Sequence, residues 1–188
     1  LPSPLQASRR LEHRPSPSQE ALEPLTRPLK AIRVREEAPK VAKAVSPPTQ
    51  EDTRIDVVTA PKPVGAYPHA RREGEFLFLS GIGPRDPKTN GVPGGPIVNE
   101  KGEPQECDIE AQTEAVIQNV RIILEGAGSS LDKVMDVQVF PINMERDFQG
   151  FNEVYARWFR SIGATRTTVA VRAVPTPIAV EFKIIARA

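Results

Sequence analysis

Proline and glycine divide this chain of 188 residues into two parts with different prospects of folding. Nine of the twenty prolines lie in residues 1–50, a stretch with no glycine, no aromatic residue and no sustained hydrophobic period. Such a segment buries too little apolar surface to offset the entropy lost in ordering its backbone. Residues 1–55 are therefore expected to form a disordered, Pro-rich basic tail, and residues 56–188 a single domain of ordinary size. The formal charge of +1 hides an asymmetry. Residues 1–50 carry nine Lys/Arg against five Asp/Glu, and the remainder sixteen against nineteen. A basic leader of this kind is compatible with organellar targeting, although its five glutamates argue against that, and no apolar run has the form of a secretory signal. The chain opens on Leu1 rather than Met, as a processed or partial chain does. No segment reaches the ~18 consecutive apolar residues of a membrane span. The expectation is a soluble, cytoplasmic protein, with organellar targeting by the tail as the alternative.

Residue inventory excludes several chemistries. The single cysteine, Cys107, rules out an intrachain disulfide or a cysteine-based metal cluster. Its place just before a predicted helix would favour the thiolate, but a lone cysteine is usually a bystander. The two histidines are His13, in the tail, and His69, so a zinc site or a Ser-His or Cys-His system would rest on His69 alone. The slightly acidic domain has no basic stripe interleaved with aromatic residues, which argues against nucleic-acid binding despite the basic tail.

Hydrophobic periodicity then orders the domain. His69–Arg72 and Phe76–Gly81 read as two strands joined by a turn at Arg72–Glu75, the second apolar on both faces. Residues 83–106, rich in Gly, Pro and Asn, form a long loop, and loops of that length are often functional. Asp108 caps a helix whose apolar positions run from Ile109 to Ala127, with Gly126 and Gly128 as its stop. Leu131–Phe140 reads as a strand with Met135, Val137 and Val139 on one face and Asp136, Gln138 and Phe140 on the other. Asn143 caps a second helix whose stripe of Phe148, Phe151, Tyr155, Trp158 and Phe159 is core. The order strand, strand, helix, strand, helix, strand, strand predicts an α+β domain with both helices on one face of a mixed sheet. The other face carries Phe140 and Ile185, and a half-apolar face on so small a domain predicts a closed cyclic oligomer.

The last two predicted strands carry the chemistry. Thr165–Arg172 holds Arg166 near its start; in the strand ending at Ile185, Val180, Phe182 and Ile184 take one face and leave Glu181 beside Ala179 and Lys183 on the other. Read as neighbouring strands, these present an Arg and a Glu that serve either as a cross-strand ion pair or as an acid-substrate site. From these residues alone both readings stand.

Several motifs resemble the RidA (YjgF/YER057c/UK114) family: Val64-Gly65-Ala66-Tyr67, Leu79-Ser80-Gly81, Asp108 to Thr113, Asn119-Val120, Phe151 to Tyr155 and Thr165 to Val169. They span about residues 60–188 in order. Asn143-Met144 before Asp147-Phe148, with Arg166 to Val171, is most similar to the 2-aminomuconate deaminase branch. The resemblance implies a chorismate-mutase-like fold and a homotrimer with clefts between subunits. It also implies hydrolysis of enamine or imine intermediates to a carbonyl compound and ammonia, without metal or organic cofactor. Carried over by position, Arg166 matches the arginine that binds the substrate carboxylate, and Glu181 the glutamate that holds the hydrolytic water. Tyr67, Ser80, Gly81 and Asn152 match residues that line or support the cleft. Thr168 stands where the best-known deaminases of the family commonly have cysteine, so a thiol role is gone, and Cys107 does not replace it.

The chemistry agrees with that assignment. An arginine fork grips a carboxylate with two charge-assisted hydrogen bonds, where lysine is only a point charge. A glutamate deprotonates water for attack on the imine carbon and returns the proton to the departing nitrogen. The competing expectations are a broad deaminase of 2-aminoacrylate-type intermediates and a non-catalytic trimer that binds small carboxylates or proteins.

Overall fold

The computed structural model describes residues 53–188, and the tail expected over residues 1–55 lies outside them as far as residue 52. The sheet begins inside that expected tail. Arg54–Ile55 form β1, paired with Arg71 and Ala70. The chain continues through β2 (Ala70–Glu73), β3 (Phe76–Leu79), α1 (Ile109–Gly126), β4 (Val134–Pro141), α2 (Met144–Phe159), β5 (Thr165–Thr168) and β6 (Val180–Arg187). The expected order is recovered with β1 added in front.

These strands form one six-stranded sheet in the order β1-β2-β3-β6-β4-β5, antiparallel throughout except for β4 with β5. A parallel neighbour requires a crossover, and α2 supplies it between β4 and β5. The core lies between the helices and one face of the sheet. Val116, Val120 and Ile123 of α1 and Phe151 and Phe159 of α2 are buried with Leu77, Leu79, Val137, Val139, Phe182 and Ile184. This is an α+β domain of the chorismate-mutase-like kind.

The ends of α1 follow its sequence. The Asp108 carboxylate accepts a hydrogen bond from the Ala111 amide at 3.0 Å, satisfying one of the orphan donors of the first turn. Gly128, at φ +78°, turns the chain away, and the Ser129 amide donates to the Leu124 carbonyl at 2.8 Å. The helix also holds two loops through buried amides. Gln112 donates to the Gly95 carbonyl and accepts from the Ala179 amide, each at 2.7 Å. Asn119 donates to the carbonyls of Gly83 and Arg85, each at 2.9 Å. The long loop after β3 is thereby fixed at its start and near its middle.

Several expectations require correction. Leu131–Lys133 forms a single 3-10 turn, and a register shift between Val134 and Asp136 breaks the alternation, so Val134 is buried and Met135 is exposed. Phe148 is exposed too, leaving Phe151, Tyr155 and Phe159 as the buried aromatics of α2. The strand β3 is apolar on both faces as expected, with Leu77 and Leu79 buried under the helices and Phe76 and Phe78, on the open face of the sheet, 40% and 38% exposed. Finally, β5 and β6 are not neighbours, because β4 lies between them. The strand expected over Thr165–Arg172 ends at Thr168, although the Val169 and Val171 amides still bond to the Val139 and Pro141 carbonyls.

Candidate active site

Strand register decides where the two charged residues face. Arg166 pairs with Val137 and Thr168 with Val139, so both lie on the helix-covered side of β5. Glu181 pairs with Phe140 and Lys183 with Gln138, on the opposite side. Two strand spacings and three residues along β4 put the Cα atoms of Arg166 and Glu181 about 14 Å apart. Within one chain they form neither an ion pair nor a common site. The sequence residues instead collect into two half-sites.

The first surrounds Glu181. Its carboxylate lies against Gly81, where a Cβ would come within 2.8 Å of the Glu181 Cδ. Tyr67, Gly83, Arg85, Thr176 and Ile178 line the same hollow. Among the described residues no group hydrogen-bonds the carboxylate, and its burial pushes the pKa above the ordinary 4.5. An unpartnered, partly desolvated carboxylate of this kind is a better base than a solvated one. An adjoining hollow shares Tyr67, Gly81, Gly83 and Arg85 and reaches Ser80 and His69. Ser80 has a holding role, since its hydroxyl donates to the Pro68 carbonyl at 2.6 Å and its amide to the His69 carbonyl at 2.9 Å. That staple sets the segment from which Tyr67 projects.

His69 is engaged at both ring nitrogens. Nδ1 accepts from the Val57 amide at 3.1 Å, which leaves Nε2 to donate to the Pro61 carbonyl at 3.0 Å. It is a buried tie for the entry segment. Lys183, on the face of Glu181, donates to the Leu79 carbonyl at 2.5 Å, and burial pushes its pKa down.

The second half-site surrounds Arg166 on β5, at the edge of the sheet. Its Nη1 donates to Asn152 Oδ1 at 2.9 Å, and its guanidinium lies 4.5 Å from the Tyr155 ring centroid and 5.3 Å from that of Phe151. These contacts fix the plane of the fork and leave most of its donors free for an acceptor. The Thr168 hydroxyl shares this face. It and the Tyr155 hydroxyl are buried, and neither hydrogen-bonds another described residue. Tyr155 was legible only as core. Its second part, as the platform under Arg166, depends on the crossover that brings α2 over β5.

Cys107 joins neither group. Its Sγ lies 3.3 Å from Arg146 Nη2, while Arg146 also grips the buried Asp147 through bonds of 2.6 and 2.9 Å. Burial nevertheless pushes the thiol pKa up, opposite to the lowering expected at a helix start. Among the described residues no cluster of three or more His, Cys, Asp or Glu side chains is placed to hold a metal ion. Nor is any described helix long and apolar enough to cross a membrane.

Comparison with known proteins assigns the family. Residues 57–188 match the family model described as Endoribonuclease L-PSP. A RutC family protein of Saccharolobus solfataricus is 39% identical over 128 residues, which cover 68% of this chain and 91% of the relative. The mitochondrial protein MMF1 of Saccharomyces cerevisiae is 30% identical over 149 residues, 79% of this chain and 90% of that one. Among solved structures, E. coli TdcF with bound serine has a TM-score of 0.61 and 28% identity, covering 72% of this chain and 98% of TdcF. This chain belongs to the endoribonuclease L-PSP family, which is the YjgF/RidA family.

Proposed function

We propose that this protein hydrolyses enamine and imine intermediates to carbonyl compounds and ammonia, with 2-aminomuconate as the favoured substrate. The active unit is a homotrimer in which the Arg166 half-site of one copy meets the Glu181 half-site of the next. The observation that carries this reading is the separation of the two groups. A carboxylate-binding fork and an unpartnered carboxylate sit on opposite faces of one sheet, each beside polar atoms lacking partners or an open hollow. A small substrate touches both only across an interface between copies. The open face bearing Phe76 and Phe78 provides apolar surface for that interface.

In the proposed reaction the Arg166 fork takes the substrate carboxylate next to the imine carbon. Glu181 accepts a proton from water as the oxygen attacks that carbon. It delivers that proton to nitrogen, giving the carbinolamine, and then carries the hydroxyl proton to nitrogen as well, so that the C–N bond breaks, the C=O bond forms and ammonia leaves with both protons of the water. One water is consumed and one ammonia released, with no change of oxidation state. The bound serine of TdcF supports a site for small carboxylates that bear nitrogen.

Ammonia release from freshly generated 2-aminomuconate, with Arg166→Ala and Glu181→Ala beside the wild type, is the test. The expected result is release by the wild type and loss in both variants. Preference for 2-aminoacrylate would instead favour a broad deaminase. Inactivity on both substrates would favour a binding protein.

A further inference from the structure

We propose that Arg85 is a specificity-determining residue of the Glu181 half-site, which receives a second carboxylate at the end of the substrate remote from the reacting carbon. The inference rests on the deaminase reading for the identity of the reacting group and adds the residue that selects a diacid. Arg85 borders both hollows of this half-site. It stands with Tyr67 and Gly81 in each, and with Glu181 in one.

Its position is built from three sides. The nearly fully buried Asn119 of α1 donates to the Arg85 carbonyl at 2.9 Å. At the other end of the side chain, Nη1 donates to Asn90 Oδ1 at 2.5 Å and Nη2 to the Lys62 carbonyl at 2.6 Å. A guanidinium held this way loses little further conformational freedom when it binds an anion. Both of its acceptors are neutral, and among the described residues no carboxylate lies within ion-pair distance of it. The neighbouring Asp86 is turned to its own loop, where it accepts from the Lys88 and Thr89 amides at 2.9 and 2.7 Å. Arg85 therefore keeps an uncompensated charge and three of its five donors.

Glu181 shares the hollow with this cation without pairing to it. The space between them suits a substrate whose far end carries negative charge. With Arg166 taking the carboxylate beside the reacting carbon, the assembled site has a cation for each end of a diacid. A monocarboxylate would satisfy only one.

The test uses two stable ligands and the full chain, with binding measured by calorimetry. Muconate is a six-carbon diene with a carboxylate at each end, and 2,4-hexadienoate is the same carbon chain with one. The wild type is expected to bind muconate at least about tenfold more tightly, the effect of one added charge-assisted contact. Arg85→Met should abolish that preference while leaving hexadienoate affinity within about twofold. Absence of a preference in the wild type, its survival in Arg85→Met, or equal weakening of both ligands would overturn the assignment. If Arg85→Met does not fold, Arg85→Lys decides: the preference should fall while hexadienoate binding holds, and parallel loss on both ligands counts against the proposal. Ammonia release is scored separately. An Arg85-dependent preference for muconate in a protein that releases no ammonia would leave Arg85 assigned and remove the deaminase reading.

Discussion

Gly81 and Glu181 are in direct contact: any side chain at position 81 would begin within 2.8 Å of the Glu181 Cδ. The atoms displaced are the flexible end of a side chain, and Gly81 lies outside the left-handed region, so the backbone accommodates alanine. Gly81→Ala should therefore leave the melting temperature within a few degrees while moving the carboxylate off its position. Ammonia release should fall by about tenfold to a hundredfold, as expected when a positioned base is displaced by about an ångström. Unchanged turnover with a folded Gly81→Ala protein would separate Glu181 from the reaction.

Burial also sets the pH behaviour of Glu181. Its folded-state pKa lies above the ordinary 4.5, so folding favours the protonated form. The corresponding stability is present below the ordinary value and is lost as pH rises through the raised one. Glu181→Gln should remove that loss and be the more stable protein above this window. The proposed reaction has the opposite requirement, because a general base works only when ionised, and its acid limb should lie above 4.5. Lys183, on the same face, is displaced downward by burial and affects the alkaline side. Urea unfolding of wild type and Glu181→Gln between pH 4 and 8 checks the first point. Parallel stability curves would mean that burial does not bias this carboxylate.

The residues themselves foretold much of this arrangement, because periodicity and caps are local signals. Asp108 and Asn143 start their helices as expected, each accepting from the amide three residues on. The alternation of Val180, Phe182 and Ile184 correctly turned Glu181 away from the core. What the sequence did not contain was strand adjacency. Chain order set β5 beside β6, and only the crossover through α2 inserts β4 between them and sends Arg166 and Glu181 to opposite faces. Arg85 was equally hidden. It lies in a loop without periodicity, and its place in the hollow depends on Asn119, which is distant in sequence. Phe148 and Met135 were misplaced because a stripe or alternation does not reveal where its cover ends or where a bulge resets it.

Phe78 tests whether the open face joins copies. It faces away from the helices beside Ile185 of β6, with Phe76 two residues along its strand. Phe78→Asp places charge on the open face of the sheet, at a side chain the chain leaves 38% exposed, so the isolated domain should fold. The assembly should not survive, and light scattering should report a monomer for the variant and a trimer for the wild type. Ammonia release should disappear with it. A Phe78→Asp trimer of normal activity would place the interface elsewhere.

Subunit complementation separates a shared site from one contained in a single chain. Arg166 and Glu181 project from opposite faces, so in the proposed trimer each intact cleft would take one of them from each of two neighbouring copies. Arg166→Ala and Glu181→Ala should each be inactive alone. When they are unfolded together in equal amounts and refolded, a cleft is intact only where a chain with its arginine adjoins, in the right direction, a chain with its glutamate. In a closed ring with one direction of contact, random mixing restores about a quarter of the clefts. Ammonia release by the mixture should therefore return to about a quarter of the wild-type rate. The double variant refolded with wild type supplies the control, since both mixtures contain the same number of each altered residue. A mixture of the single variants that stays inactive, although light scattering reports mixed trimers, would rule out a cleft built from two chains.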